Sequence, residues 1–340
     1  MEVRSIEYHT LIVATGSRYR GNTPWKEAET TAQTLSNLAK LREDIRQARS
    51  IIVAGAGPTG VEFAAELGHA YGKTGKKEIK LVGTEEDLPL SPQVKTSVRE
   101  AAKRQLERLR VEYIGGVRAT KRPATPAVAV AIAAGGSSSN ILNNKGKMTP
   151  TTTRTTTPLS QKNDEGGGGG GAPQGKQTVT LKKPNGETRT LTADLLVKAY
   201  GMIPNTFFAP DRMRNDMTGG HMRQDQDLRT PGYDNIFVLG DVGDLQPPQA
   251  AHTDAQVRHL MKQLTAYFDG LPIKPYVFEP DKVQLALSLG RDHGTGQAGH
   301  WQIWGYIIWY FKSRHLGTDQ AAAYAKGKVG GLGRPWPNNI

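Results

Sequence analysis

The 340-residue chain contains no cysteine. That absence excludes disulfide staples, thiolate zinc sites, cysteine nucleophiles and dithiol redox centres. Long apolar runs are missing too, since no stretch reaches the roughly 18 residues that a bilayer-spanning helix needs. The N-terminus, MEVRSIEYHT, lacks the apolar core of a signal peptide, and Glu2 stands where a myristoylation signal needs glycine, so a cytoplasmic location is expected. Apolar residues make up only 37% of the chain, while glycine (39) and proline (20) are frequent. Two or three folded units with irregular stretches between them follow from that length and composition.

Acidic residues are outnumbered 32 to 44, for a net charge of +12. Half of the excess lies between Arg118 and Thr178, which carries eight basic and two acidic residues. The same segment holds an Ala/Val tract (127–134), a serine run (137–139), TPTTTRTTTP (149–158) and six consecutive glycines (166–171). None of these can bury a core face, so a disordered, solvated insertion over 118–178 is expected. A basic arm for nucleic acid is the weaker reading.

The remaining sequence alternates apolar strands with amphipathic helical stretches, the pattern of an α/β protein with a parallel sheet. Strands are expected over 8–14, 50–54, 78–82, 111–114, 178–181, 189–191, 195–199 and 236–239. Helices are expected over 28–49, after Gly60 through Leu67, over 94–109 and over 250–268. Pro184-Asn185-Gly186 has hairpin turn chemistry.

Gly55, Gly57 and Gly60 form a GxGxxG between strand 51–54 and the alanine-rich helix, the context that a dinucleotide-binding fingerprint requires. The glycines allow a tight turn, close approach of the backbone to a pyrophosphate, and close packing of helix on strand. Pro58 and Thr59 complete the loop, and the N–H groups of the helix start would face the phosphates. An acid is expected at the end of strand 78–82 to hold the ribose 2′-hydroxyl, but Gly83-Thr84 stands there, with Glu85 and Glu86 just beyond. NAD and NADP therefore both stay open, and Lys80 is too weak a cue to choose.

Three further segments surround the GxGxxG: strand-Ala14-Thr15-Gly16-Ser17, strand-Ala199-Tyr200-Gly201 with Pro204-Asn205-Thr206, and TPGYDNIFVLGD ending in Gly240-Asp241. In this order they resemble the pyridine nucleotide:disulfide reductase superfamily of two-dinucleotide-binding-domain flavoproteins. LALSLGRDHGTGQ (285–297) and Lys312-Ser313-Arg314 resemble its apoptosis-inducing-factor-like, ferroptosis-suppressor-type branch. The resemblance implies an α/β fold in which an NAD(P)-binding Rossmann domain (34–191, with the insertion) interrupts an incomplete FAD-binding Rossmann-like domain (1–33 and 192–271), followed by a C-terminal α+β extension (272–340). It also implies FAD and NAD or NADP as cofactors, with hydride passing from NAD(P)H to the flavin and electrons then to a quinone-like acceptor. Thr15, Gly16, Gly201, Pro204 and Gly240 would line the cofactor sites, Asp241 would hold a ribityl hydroxyl, and Ala255 would sit on the helix whose N-terminus faces the flavin pyrimidine. Thr84 would lie at the ribose. Glu62 could lie near the nicotinamide, or be a carboxylate that the helix dipole favours.

The family begins with its own FAD-binding βαβ unit and a first glycine motif, whereas only ten residues precede the Leu11–Ala14 strand here. An N-terminally truncated member, carrying little FAD by itself, is the resulting expectation. A non-catalytic NAD(P)-binding or nucleic-acid-binding protein is the alternative function. No catalytic acid or base is singled out, and His69, His221, His252, His293 and His300 lack metal-ligand spacing. The aromatic stretch 301–311, flanked by Lys312, Arg314 and His315, has two readings: core or dimer packing, and a peripheral membrane patch.

Overall fold

The apolar run SIIVA and the glycines after it set the frame around which the other elements pack. The computed structural model describes residues 5–19, 24–26, 30–121, 176–279, 282–316 and 318–326. Strands β1 (Leu11–Val13) and β2 (Ser17–Tyr19) flank the Thr15-Gly16 turn. Helix α1 (Thr31–Gln47) starts where the Thr30 side chain accepts a hydrogen bond from the Gln33 N–H, a polar N-cap that satisfies an otherwise orphaned donor. Strand β3 (Ser50–Ala54) leads through the glycine loop into α2 (Pro58–Leu67), with Pro58 in the first turn, where its missing N–H costs nothing. Then come β4 (Glu78–Val82), α3 (Thr96–Arg108) and β5 (Val111–Ile114).

Strand β6 (Arg118–Lys121) pairs antiparallel with β7 (Gln177–Lys182), and β7 pairs with β8 (Thr188–Ala193) through the expected turn at Pro184-Asn185-Gly186. Both ends of the expected insertion are therefore sheet: Arg118–Lys121 and Gln177 onward carry ladder hydrogen bonds. The rest of that segment, residues 122–175, lies outside the described residues. Strand β9 (Leu195–Lys198) returns to pair parallel with β3, giving a four-stranded parallel sheet in the order β5-β4-β3-β9. The nucleotide-binding sheet thus runs on to Lys198 rather than ending at 191, and its first helix begins at Thr31, before 34.

Strand β10 (Met202–Pro204) pairs antiparallel with β2, and β11 (Ile236–Val238) pairs parallel with β1. Helix α4 (Ala250–Phe268) follows. The C-terminal part is an antiparallel meander of β12 (Gln284–Ser288), β13 (Gly294–Ala298) and β14 (Trp301–Ile303), then the short α5 (Gly305–Ile308).

Ile51 and Val53 of β3, Leu81 of β4, Val61 and Ala64 of α2, and Val98 and Leu106 of α3 form the largest buried cluster. Buried Leu287 and Leu289 belong to it as well, so the C-terminal meander shares a core with the nucleotide-binding sheet. Each such leucine or isoleucine contributes roughly 1.5–3 kcal/mol of burial. A second layer of order comes from Asp194, whose carboxylate accepts the N–H groups of Arg49 and Ser50 at 2.9 Å and is held below its ordinary pKa by those bonds. It fixes the register of β9 against β3.

Candidate functional site

At the carboxyl ends of β3, β4 and β9 lies an open cleft of about 760 Å³. Gly55, Gly57, Gly83, Thr84, Arg118, Lys198 and Tyr200 line it, with Val82, Val117, Ala119 and Ala199. The three glycines of the fingerprint do different work. Gly55 has φ +110, and a Cβ there would meet the Ala199 carbonyl at 2.8 Å. A Cβ on Gly60 would fall 1.7 Å from the Gly55 carbonyl oxygen, so helix and strand meet only because the side chain is absent. Gly57 is the contrary case: a Cβ there meets nothing within 4 Å. The space in front of it is open and faces the N-terminus of α2, where free N–H groups favour an anion. Pro58 and Thr59 sit at that helix start as expected, and Thr84 lies on the cleft wall.

The second expected constellation also assembles. Thr15 donates its hydroxyl to the Asn205 carbonyl at 2.9 Å, and Asn205 returns its side-chain amide to the Thr15 carbonyl at 2.8 Å. The Asn205 N–H reaches the Gly16 carbonyl, so Gly16 and Pro204-Asn205 are locked to each other by β2–β10 pairing. Gly201 turns the chain out of β9 with φ +84, and Gly240 turns it out of β11 with φ +73. Asp241 then stands beside Ser17: its Oδ2 accepts the Ser17 hydroxyl at 2.8 Å and the Lys26 ammonium at 2.7 Å. Oδ1 has no partner among the described residues. Sequence reasoning missed Ser17 and Lys26 because both contacts join positions more than 200 residues apart.

Two of the expected residues make contacts within the protein that the sequence did not indicate. Ala255 lies in the second turn of α4 and packs against the cluster of Leu228, Phe237, Leu239 and Leu260, so its methyl belongs to the core. The neighbouring Gln256 is buried and pins the motif, accepting the Gly240 N–H at 2.9 Å and donating to Gln246 at 3.0 Å. The start of α4 has no side-chain cap, which leaves its first N–H groups for other acceptors. Glu62 accepts the Ser288 N–H at 2.8 Å and the Lys312 ammonium at 2.6 Å. It therefore ties α2 to the C-terminal meander. Lys80, the weak cue for NADP, is taken by Glu78 and Glu112.

Tyr200, which lines the cleft, donates its hydroxyl to the Ala119 carbonyl at 3.3 Å. Tyr113, which packs behind Gly83, donates to the Glu85 carbonyl at 2.6 Å, and burial pushes its phenol up to about 12. Both tyrosines are neutral hydrogen-bond posts. The aromatic stretch at the C-terminal end is largely uncovered: Trp301, Trp304, Tyr306 and Phe311 are each more than 70% exposed. Within it, Ile308 is buried and Ile303 and Trp309 are half-buried. No helix among the described residues is long and apolar enough to cross a membrane.

The family model described as pyridine nucleotide-disulphide oxidoreductase matches residues 2–256. The chain is 29% identical over 303 residues to oxidoreductase ptaL of Pestalotiopsis fici, covering 89% of this chain and 66% of that protein. It is 26% identical over 329 residues to ferroptosis suppressor protein 1 of Taeniopygia guttata, covering 92% and 70%. The chain thus spans about two thirds of the length of these relatives. Among solved structures, the sulfide:quinone oxidoreductase of Aquifex aeolicus shares the fold, with a TM-score of 0.58 at 16% identity over 95% of this chain and 74% of that one.

Proposed function

The chain belongs to the pyridine nucleotide-disulphide oxidoreductase family, and on that premise we propose that it is an FAD-dependent NAD(P)H oxidoreductase that passes electrons to a quinone-like acceptor. The observation that carries this reading is the convergence of two sites within one folded unit. The glycine cleft at Gly55–Gly60 fits a dinucleotide, and the Thr15-Gly16, Pro204-Asn205 and Gly240-Asp241 turns gather beside it. The residues present suit a flavin: a Cβ at Gly16 meets nothing within 4 Å, the start of α4 offers free N–H groups, and Asp241 keeps an open oxygen for a hydroxyl. Bound FAD supplies two-electron chemistry, accepting hydride from the nicotinamide and releasing electrons to the second substrate.

The chain's own part is positioning and charge. Gly57 lets the pyrophosphate approach the backbone, and the dipole of α2 favours its negative charge. Ser17 and Lys26 hold the Asp241 carboxylate in one orientation. The N–H groups of α4 stabilise negative charge that develops on a reduced ring system. Absence of cysteine removes any dithiol relay, so the acceptor must be reduced without one.

The second substrate is proposed from the C-terminal surface. Trp301, Trp304, Tyr306 and Phe311 stand exposed near the exposed Arg314 and His315, a composition suited to the headgroup boundary of an anionic membrane, where a lipid-soluble quinone resides. Peripheral membrane contact through 301–311 is part of this reading. The test is FAD-supplemented protein assayed for NADH and NADPH oxidation with a short-chain quinone, alongside flotation with anionic liposomes. Quinone-dependent oxidation supports the oxidoreductase, and its absence despite bound flavin overturns the acceptor. Flotation of the wild type with loss in a Trp304→Ala, Phe311→Ala double variant supports the surface; equal behaviour of the two removes it.

A further inference from the structure

Position 83 is where a Rossmann sheet ordinarily places the acid for the ribose 2′-hydroxyl. A Cβ on Gly83 would lie 2.6 Å from the Ala56 Cβ and 2.8 Å from the Tyr113 hydroxyl, so this packing admits no side chain there, acidic or otherwise. The acids that follow do not replace it. The carbonyls of Glu85 and Glu86 lie against Gly115, the Glu85 carbonyl also accepts the Gly116 N–H, the Glu86 side chain packs along Gly116, and neither residue lines the cleft. No residue lining the cleft is acidic, whereas Arg118 and Lys198 both line it.

Arg118 is held at the rim beside Gly83 and Thr84 by three backbone restraints. Val117 donates its N–H to the Gly83 carbonyl at 3.0 Å, Ala119 accepts the Tyr200 hydroxyl, and Arg118 itself pairs with Lys182 in the β6–β7 ladder. Its guanidinium makes no ion pair among the described residues. A ribose 2′-hydroxyl reaching this corner finds no carboxylate to accept its hydrogen. A 2′-phosphate finds a guanidinium, which binds phosphate oxygens in a two-pronged, charge-assisted way, and the Thr84 hydroxyl.

We propose that the cleft selects 2′-phosphorylated nucleotides, with Arg118 as the residue that determines specificity for NADPH over NADH and Thr84 as its companion. The proposal rests on the reading of the Gly55–Gly60 cleft as the NAD(P)H site. Its test uses nucleotide halves that carry no nicotinamide, so neither flavin nor hydride transfer enters. The full chain is titrated calorimetrically with 2′,5′-ADP and with 5′-AMP, in wild type, Arg118→Gln and Arg118→Lys. The wild type binds 2′,5′-ADP at least about tenfold more tightly, the usual scale of a hydrogen-bonded charge pair. Arg118→Gln loses that advantage with little change for 5′-AMP, Arg118→Lys keeps part of it, and added salt narrows the gap. Equal affinity for both ligands in wild type, or equal weakening of both in Arg118→Gln, overturns the specificity assignment while the nucleotide cleft stands. If neither ligand binds, the cleft reading fails and the specificity with it.

Discussion

Lys312 donates to the Glu62 carboxylate at 2.6 Å and to the Ala286 carbonyl at 2.7 Å, joining the helix after the glycine loop to the last part of the chain. Glu62 also accepts the Ser288 N–H, so one carboxylate fastens both β12 and the π-helical segment after α5 (Trp309–Ser313) onto α2. The contact is half-buried, where a charge-assisted hydrogen bond keeps more of its strength than on an open surface. Lys312→Met leaves the carboxylate without its cation and should lower stability by about 1–2 kcal/mol in urea unfolding. Glu62→Gln, which keeps an acceptor for both donors, should cost less. If Lys312→Met is no worse than a surface substitution, the ion pair does not hold the two parts together.

The fingerprint glycines separate into structural and ligand-facing positions. Gly57→Ala places a methyl into empty space on extended backbone, so the unfolding midpoint should be nearly unchanged, while NAD(P)H affinity falls by roughly tenfold or more, about 1.4 kcal/mol. Gly60→Ala should instead fail to fold or melt far lower, because its Cβ collides with the Gly55 carbonyl. Calorimetry and thermal melts on the pair decide. Undiminished nucleotide binding in a folded Gly57→Ala protein would remove the pyrophosphate from this loop.

Glu66, one turn beyond Glu62, has a buried Oε1 without a hydrogen-bond partner, and burial raises its pKa above the ordinary carboxylate value. His69 and Arg291 pull in the other direction, while Glu62 and Asp292 add to the rise. The unfolded chain gives up this proton first, so the stability linked to Glu66 is complete at acid pH and declines as pH rises through the window between the two pKa values. Glu66→Gln should therefore raise the melting temperature at neutral pH, with the gain shrinking toward zero below the ordinary carboxylate range. A gain that is constant across pH, or absent at neutral pH, would mean that Glu66 titrates normally.

The β6–β7 ladder supplies a way to shorten the chain. Lys121 pairs with Val179, so the strands run back along each other and a short linker ending in Asn-Gly can join Lys121 to Gln177. Since loop-closure entropy changes slowly with length, replacing 122–176 in this way should leave the melting temperature and nucleotide affinity close to wild type. Extending the deletion to Arg118 should damage both, because that strand closes one wall of the cleft. A full loss in the shorter deletion would show that the replaced residues contribute to the fold.

Much of the fold is legible along the chain. SIIVA, EIKLV and VEYI are strands at the expected residues, with Glu78 and Glu112 left exposed among their buried apolar side chains, and AAHTDAQVRHLMKQLTAYF is helical over its expected span, because local periodicity and propensity agree with burial there. The glycine fingerprint and the Gly240-Asp241 turn are legible for the same reason: each encodes a backbone conformation within a few residues. What the tertiary structure alone decides is which of these local pieces meet. The sequence does not say that Leu195–Lys198 returns beside β3, that Arg118 rises onto the rim next to Gly83, or that Glu62 pairs with Lys312. Each of those outcomes rests on strand register and on contacts between positions far apart in the chain, whose free energy appears only once the sheet has closed and has no trace in neighbouring residues.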